Sequence, residues 1–315
     1  MGRRALLSLA IALATIGVFI VVGLHTGHRA LAAAVSPDWG LAALSLLIAA
    51  AVQPFRALAW SATLRSPAVG FRALYASSSV GSLLDTVLPG RLGEASKVAV
   101  LRVATGSRWP GFPRAAGSLF CAHMLEACAF TIVGAGAALF LPIPGWARIA
   151  LAVGLGLSAG AVLVATVLHK HIGRHLPRGI DRFLGGASAP PSVLAKAGAI
   201  LLATWIVRWG AILLMLRAVG VEASVGTALL YMIVTGLANT APILPGNAGV
   251  YQGAAIGALA MAGVSGSQAA AVALVAPVFA TVGTALAAAA GLALFGGRFV
   301  ELSRAALVRV QPEPA

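Results

Sequence analysis

Four charged side chains fall inside long apolar runs of the sequence. They are Arg56, Asp85, Glu126 and Arg208. A charge at the centre of a membrane helix costs about 2.5–3.5 kcal/mol on insertion scales, so such a residue is a functional candidate by default. At a rise of about 1.5 Å per residue, the four lie roughly 12–20 Å from the ends at which their helices enter the membrane. Because they reach similar depths, we expect Arg208 to pair with Asp85, Glu126 or both.

Two further polar residues belong to this intramembrane set. His123 precedes Glu126 by three residues, so both lie on one helix face and the imidazole can share the proton or the partner of the carboxylate. Gln252 lies in another apolar segment. These residues predict a polar centre within the membrane. The alternative is that they form buried ion pairs that only hold helices together.

A second candidate site follows a Leu-Pro-Gly sequence that ends at Gly90. The next residues include Arg91, Gly93, Glu94 and Lys97. They begin a helix whose first amides lack partners and attract an anion, while the fork of Arg91 suits phosphate and Gly93 permits close approach to the backbone. Glu94 can pair with Lys97 one turn later or hold Arg91 in place. The alternative is that the charged residues only mark the membrane surface.

Six apolar runs are long enough to position these residues in membrane-spanning helices, since a span needs about 20 apolar residues. The runs are 5–24, 40–64, 115–141, 147–169, 195–217 and 268–296. Two more apolar regions, 73–104 and 226–263, are interrupted by Leu-Pro-Gly. Proline removes a backbone donor and glycine permits a turn, so each region should form two short helices, as a re-entrant hairpin or a bent pair. The predicted fold is an all-α polytopic membrane protein with about six full spans and two re-entrant hairpins.

The composition agrees with a single transmembrane domain over residues 1–315. The chain is 60% hydrophobic and only 10% charged, whereas soluble domains carry about 25% charged residues. This excludes a soluble catalytic domain. The 22 Lys and Arg against 8 Asp and Glu give a net charge of +14, but no basic run is interleaved with exposed aromatic residues, so nucleic acid is not an expected partner.

The basic residues orient the chain. Seventeen of them fall on one side of the predicted topology and three on the other, which places both termini in the cytoplasm of a multi-pass plasma-membrane protein. A cytoplasmic basic loop at about 170–194 should touch anionic lipid. Its histidine-rich start at 169–175 lacks the carboxylates or cysteines of a metal site. We expect no metal, no cofactor and no enzymatic activity, because no set of side chains suggests a nucleophile.

The two interrupted regions share the pattern Leu-Pro-Gly-x-x-Gly, at 88–93 and at 244–249. The second copy adds Pro245, Gly246, Asn247 and Gly249 as substrate-binding candidates. The order span, span, hairpin, span also repeats, in units of about 5–141 and 147–296. Because each unit crosses the membrane an odd number of times, the second is inverted, as in many transporters. A chance match of Pro-Gly turns is the alternative, and kinked pairs of full spans would give the same parity.

The chain resembles the transmembrane domain of the lysylphosphatidylglycerol synthase family. Members of this family are flippase-like integral membrane proteins. The resemblance rests on Val-Leu-Pro-Gly-Arg-Leu-Gly-Glu at 87–94, on Pro245-Gly246-x-x-Gly249-Val250, on Gly263-Val264 and on Arg56 at the end of the second span. It covers nearly the whole chain and implies movement of lipids or lipid-linked groups between leaflets. Bifunctional relatives continue into an aminoacyl-transferase domain. This sequence ends at Ala315, so we expect no synthase activity.

This chain departs from the pattern of many relatives at three places. Many relatives have Glu-Arg-x-x-Asp where this chain has Ala122-His123-x-x-Glu126. They also have a glutamate at the position of Gln252 and an asparagine at the position of Asp85. An acid has thus moved between sites. A mechanism that involves protons therefore does not carry over residue by residue.

We predict a lipid translocator that moves an anionic phospholipid or a lipid-linked phosphate. The headgroup would enter beside Arg91 and cross a polar cavity that contains Asp85, Glu126 and Arg208. One alternative is a non-transporting membrane partner of a separate glycosyltransferase or lipid-modifying enzyme, and another is a small-solute transporter of inverted-repeat type. A groove open to lipid would favour the first function, a flat face without a cavity the second, and a closed polar pocket the third.

Overall fold

The structure is a computed structural model that describes residues 38–87, 92–106, 109–141, 143–172, 175–239 and 249–295. The regular structure of these residues is ten α-helices. In chain order they are α1 (Trp39–Leu64), α2 (Phe71–Val87), α3 (Leu92–Thr105), α4 (Phe112–Ala138), α5 (Gly145–Ile172), α6 (Arg178–Ala187), α7 (Pro191–Ala218), α8 (Val225–Ala238), α9 (Val250–Met261) and α10 (Gly266–Phe295). The predicted span at 5–24 lies outside the described residues.

Five helices are long and apolar enough to cross a membrane, namely α1, α4, α5, α7 and α10. At about 1.5 Å per residue they are roughly 39–45 Å long, more than the hydrocarbon thickness of about 30 Å. Their bounds differ from five of the six predicted spans by four residues or fewer. The chain is a multi-pass integral membrane protein.

Each interrupted region contains two short helices, as predicted. The first region forms α2 and α3, and the second forms α8 and α9. These helices have 12 to 17 residues, which gives lengths of roughly 18–26 Å, shorter than the hydrocarbon core.

Contacts between helix ends define one end of the bundle, which we call the Ala218 end. The Asp38 amide donates to the Ala218 carbonyl oxygen at 2.9 Å, so α1 begins where α7 ends. The side-chain amide of Gln268, in the first turn of α10, donates to the Gly220 carbonyl oxygen at 3.1 Å. Because α7 ends and α10 begins here, the intervening α8 and α9 leave this end and return to it.

The opposite end, which we call the Arg65 end, is defined in the same way. Arg65 is the left-handed C-cap of α1, with φ of 51°, and its guanidinium donates to the carbonyl oxygens of Gly185 and Ser188 at 2.7 Å each. Beside them, Gly186 lies so close to α4 that a Cβ would be 2.3 Å from the Arg114 carbonyl oxygen. Because α1 ends and α4 begins here, α2 and α3 leave this end and return to it.

Some helix contacts recur in the two halves of the chain, whereas others differ, since α2 packs extensively on α10 but α8 packs little on α4. α1 packs most extensively on α7. α1 also packs on α10 and α2, and α7 correspondingly packs on α4 and α8. One apolar core, around Trp60, Leu74 and Leu101, is formed by residues of α1, α2, α3 and α4. A larger core, which includes Leu216 and Ile233, centres on α7 to α10.

The region 170–194, predicted as a loop, contains the helix α6. Phe183 packs on Phe120 of α4 with ring centroids 5.9 Å apart, and Leu184 is buried beside it. Arg178 and Arg182 lie on the exposed side of the helix. The basic residues thus form one face of an amphipathic helix, whose apolar face anchors it to α4.

Candidate functional site

Glu126, halfway along α4, is paired with Arg56 of α1. The Nε atom of Arg56 donates to Glu126 Oε1 at 2.8 Å, and a terminal guanidinium nitrogen contacts the same oxygen. Both residues lie in helices that cross the membrane, and the side chain of Glu126 is only 11% exposed. Each charge therefore compensates the other where little water is available.

Further contacts extend this pair to α3. The Nζ atom of Lys97 donates to Glu94 Oε1 at 2.6 Å, the pairing expected from their spacing. The other oxygen of Glu94 contacts His123 Nε2. His123 Nδ1 lies 3.8 Å from Glu126 Oε2. Lys97, Glu94, His123, Glu126 and Arg56 thus form a continuous series, which we call the charge chain.

Two glycines position the α3 part of the charge chain. A Cβ at Gly81 of α2 would lie 2.1 Å from Lys97 Cγ, and a Cβ at Gly93 of α3 would lie 2.4 Å from the backbone of Asp85. α2 and α3 therefore approach to backbone contact, as small residues permit between membrane helices. The Lys97 side chain is enclosed as a result and is only 4% exposed. α2 occupies the side of Gly93 on which a Cβ would lie.

A cavity of about 20 Å³ lies beside the charge chain. Its polar lining includes Ser78 and four side chains of the charge chain, Arg56, Lys97, His123 and Glu126. This volume holds about one water molecule, and the polar lining offers that water partners. It does not hold a phospholipid headgroup, so a headgroup can enter only if the helices separate.

Arg208 has a different partner from the one expected. Its guanidinium carbon lies 5.1 Å from the ring centroid of Trp205, a cation–π geometry. The Trp205 indole in turn donates to the backbone carbonyl oxygen of Glu126 at 3.2 Å. Within the part of the chain that the structure describes, no carboxylate lies within 4.0 Å of an Arg208 nitrogen. The predicted ion pair of Arg208 with Asp85 or Glu126 is therefore wrong, since Arg56 occupies Glu126.

The remaining polar candidates have local contacts. Asp85 lies on α2 against Gly93 and is close enough to Arg56 to act on it electrostatically. Gln252 accepts a hydrogen bond from the Gly249 amide at 2.6 Å, so these two residues cap the start of α9. Gly249 has φ of 83°, a conformation that favours glycine.

Sequence reasoning missed Gln53, one turn before Arg56 on α1. Gln53 is 5% exposed, and its side-chain oxygen accepts contacts from the hydroxyls of Ser78 and Ser82 on α2 at 3.4 and 3.5 Å. The signal in the sequence was a glutamine inside an apolar run, three residues before an arginine. It also missed the hydrogen bond of 2.8 Å between the hydroxyls of Tyr231 and Tyr251.

The two Leu-Pro-Gly segments lie outside the described residues. Together with the residue after each, they hold the candidates Gly90, Arg91, Pro245, Gly246 and Asn247. Their assignment to an anion site stays a prediction, as does the substrate-binding role of Gly93, Glu94, Lys97 and Gly249.

Comparison with known proteins gives one match. Residues 5–305 match the profile of the family described as "Lysylphosphatidylglycerol synthase TM region". The chain matches none of the curated proteins and none of the solved structures with which it was compared. The matched region includes all ten helices.

Proposed function

The chain belongs to the lysylphosphatidylglycerol synthase TM region family, and on this premise we propose that it moves an anionic phospholipid or a lipid-linked phosphate between the leaflets of the plasma membrane. The observation that carries the proposal is the charge chain. Three helices place two carboxylates, two cations and an imidazole in contact within the bundle. Such intramembrane ionisable groups mark substrate or ion pathways more often than they mark simple packing.

The proposal includes a topology of two re-entrant hairpins in an inverted repeat, α2–α3 and α8–α9. It is supported by the contacts that return the first pair to the Arg65 end and the second to the Ala218 end. The similar packing around α1 and α7 also supports it. We assign the Arg65 end to the cytoplasm, because Arg65, Arg72 and Arg114 are exposed there.

The charge chain gives an anion exchangeable partners. A phosphate that approaches Lys97 or Arg56 can replace a carboxylate at that cation, and the released Glu94 or Glu126 retains contact with His123. The cations thus stay compensated throughout, while the released carboxylate keeps only its contact with His123. The acyl chains stay in the surrounding lipid while the headgroup passes.

The packing indicates where the bundle can open. α3 packs extensively on α2 and much less on α4. Separation of α3 from α4 therefore breaks mainly the contact between Glu94 and His123. α2 itself packs extensively on α10 and on α1, so the opening we propose is confined to the boundary between α3 and α4, where the cavity then enlarges next to the charge chain.

The small volume of the cavity favours a second candidate function, the transport of a small solute or ion. Its volume of about 20 Å³ suits a particle near the size of water. This candidate needs no separation of α3 from α4. The proposed inverted repeat is also compatible with the transport of a small solute or ion.

The test is lipid movement in vesicles that contain the purified protein. Headgroup-labelled phosphatidylglycerol and phosphatidylcholine are followed by quenching with a reagent that does not cross the bilayer. We expect the protein to accelerate the movement of phosphatidylglycerol between leaflets more than that of phosphatidylcholine. Lys97→Met should lower the phosphatidylglycerol rate roughly ten- to a hundredfold, the value of one charge-assisted contact. The matched control is Lys196→Met, because Lys196 is an exposed lysine at the start of α7.

Each alternative gives its own result. An unchanged rate in a well-folded Lys97→Met protein would remove the charge chain from the lipid path. Movement of small ions without lipid would favour the second candidate. If neither lipids nor ions move, the chain acts as a non-transporting partner of a lipid-modifying enzyme.

A further inference from the structure

An open groove lies at the Arg65 end, where α4 begins. It has a volume of about 440 Å³ and is lined by Trp109, Pro110, Gly111, Arg114 and Arg182. Pockets that bind small molecules have volumes of about 300–1,000 Å³, so the groove can hold a phosphorylated headgroup or a small phosphate ester. It shares no lining residue with the small cavity beside the charge chain.

Two helices hold the arginines at the groove. Arg114 lies in the first turn of α4, and Arg182 lies in α6. A Cβ at Gly117 of α4 would lie 2.0 Å from the Phe183 carbonyl oxygen. A Cβ at Gly186 of α6 would lie 2.3 Å from the Arg114 carbonyl oxygen. The two backbones are therefore in contact, as small residues permit, and this contact fixes the spacing between the two arginines.

The lining of the groove is positively charged. Both arginines are exposed, and in the described part of the chain no carboxylate oxygen lies within 4.0 Å of either guanidinium. Asp181, which precedes Arg182 in α6, instead faces His169 Nδ1 at 3.2 Å. The residues of the groove thus contribute two positive charges and no negative charge.

The start of α4 adds further donors to the groove. Gly111 is the N-cap of α4 and provides no side-chain hydrogen bond, so the first amides lack an intrahelical acceptor and the helix dipole attracts an anion. Trp109 Nε1 is buried and makes no hydrogen bond among the described residues. Because buried donors without an acceptor are rare in native proteins, an acceptor brought by a ligand is expected at this wall.

The charge of the groove selects among phosphate esters. A phosphomonoester carries a charge of about −1.5 to −2 at pH 7 and has three strong acceptor oxygens, whereas a phosphodiester carries a single negative charge. Two arginine forks match the charge of the monoester, and each fork suits a pair of its oxygens. We propose that the groove binds a phosphomonoester group between Arg114 and Arg182.

This site goes beyond the proposed function. It lies apart from the charge chain, since Arg114 precedes His123 by roughly 14 Å along α4. Its ligand differs in charge from phosphatidylglycerol, and binding there requires no movement of lipid between leaflets.

The test is calorimetry on the full-length protein in a non-ionic detergent. Dihexanoyl phosphatidic acid is a lipid phosphomonoester, glycerol 3-phosphate is a soluble one, and dihexanoyl phosphatidylglycerol is a phosphodiester. We expect the phosphatidic acid to bind, and the phosphatidylglycerol to displace it only at a roughly tenfold or higher concentration, because one charge-assisted contact is lost. Weaker binding of glycerol 3-phosphate would assign the site to lipid headgroups, and equal binding would assign it to soluble esters.

Arg114→Gln and Arg182→Gln should each weaken the binding of the phosphomonoester roughly tenfold. Both side chains are exposed, so the folded state should survive. The matched control is Arg178→Gln, because Arg178 is an exposed arginine one turn before Arg182 and does not line the groove. This variant should bind like the wild type.

Four results would overturn the inference. They are no binding of either phosphomonoester, unchanged binding in Arg114→Gln or Arg182→Gln, an equal loss in Arg178→Gln, which would indicate a general basic surface, and displacement by phosphatidylglycerol at equal concentration. Lipid movement in vesicles by a protein that binds no phosphomonoester would leave the proposed function standing. Binding of a phosphomonoester without lipid movement would leave this inference standing.

Discussion

Arg56 and Glu126 stabilise the bundle only as a pair, because either charge alone is left uncompensated between membrane helices. We expect Arg56→Gln and Glu126→Gln each to lower the free energy of unfolding by about 3–5 kcal/mol. The double variant should lose less than the sum, with a coupling of about 1–3 kcal/mol. Denaturation of the purified proteins in detergent measures all three values.

The control for this cycle is Arg148→Gln combined with Glu126→Gln. Arg148 is exposed in the first turn of α5 and should give additive losses. Additive losses for Arg56 and Glu126 as well would show that their contact contributes nothing to stability.

The prediction for Arg91 rests on the sequence alone, because Arg91 lies outside the described residues. It follows the Pro-Gly break directly, so its fork and the free helix amides can converge on one phosphate oxygen. We expect Arg91→Ala to slow phosphatidylglycerol movement in vesicles roughly ten- to a hundredfold. The folded state should survive. Arg102→Ala is the control, since Arg102 is an exposed arginine in the last turn of α3, and equal rates for the two variants would remove Arg91 from the site.

The sequence predicts which residues lie deep in the membrane but not which of them pair. Helix rise gives the depth of Arg56 and Arg208 from their positions in apolar runs. The partner depends on the direction that each side chain takes around its helix and on which helices are neighbours. Arg56 faces Glu126 of α4, whereas Arg208 lies over Trp205, one turn earlier on its own helix.

The contact between α2 and α3 depends on two glycines. A methyl group at Gly93 would meet the backbone of Asp85 at 2.4 Å, and backbone cannot move aside as a side chain can. We expect Gly93→Ala to lower the free energy of unfolding by about 1–3 kcal/mol or more. It should also slow lipid movement, because Glu94 shifts away from His123.

Gly198→Ala is the control for that variant. Gly198 lies in α7 with no atom within 4 Å of a built Cβ, and alanine favours helix by about 1 kcal/mol over glycine. This change should therefore be neutral or stabilising. A Gly93→Ala protein as stable as Gly198→Ala would show that α2 and α3 do not pack this closely.

The long helices are easier to predict than the short amphipathic helix. Length and hydropathy decide a membrane span, so α1 and α7 agree with their predicted runs within four residues. In α6 three of the ten residues are charged, and the apolar residues that pack on α4 are few. Its existence follows from tertiary packing, which the segment alone does not display.

The predicted inverted repeat is a property of the whole molecule, and it fixes the side of the membrane on which each helix end lies. Ser66 follows α1 at the Arg65 end, and Ser224 caps α8 at the Ala218 end. In a protein whose Cys121 and Cys128 are replaced, single cysteines at Ser66 and Ser224 should label from opposite sides of the membrane. Ser192→Cys, at the start of α7, should label from the same side as Ser66→Cys. Labelling of Ser66→Cys and Ser224→Cys from one side would contradict the inverted repeat.

The two halves contribute unequally to the described site. The charge chain comes from α1, α3 and α4 of the first half, whereas the second half contributes Arg208 and Trp205 beside it. The charges of the described site thus come mainly from the first half of the chain.

The most direct measurement of lipid translocation is the composition of each membrane leaflet in cells that make the protein and in cells depleted of it. Lipids of the outer leaflet are modified with reagents that do not cross the membrane and are then quantified by class. Translocation predicts that one class of anionic phospholipid or lipid-linked phosphate changes its leaflet distribution several-fold on depletion, and that the wild-type protein restores it. Unchanged leaflet compositions in every anionic class would contradict a role in lipid translocation.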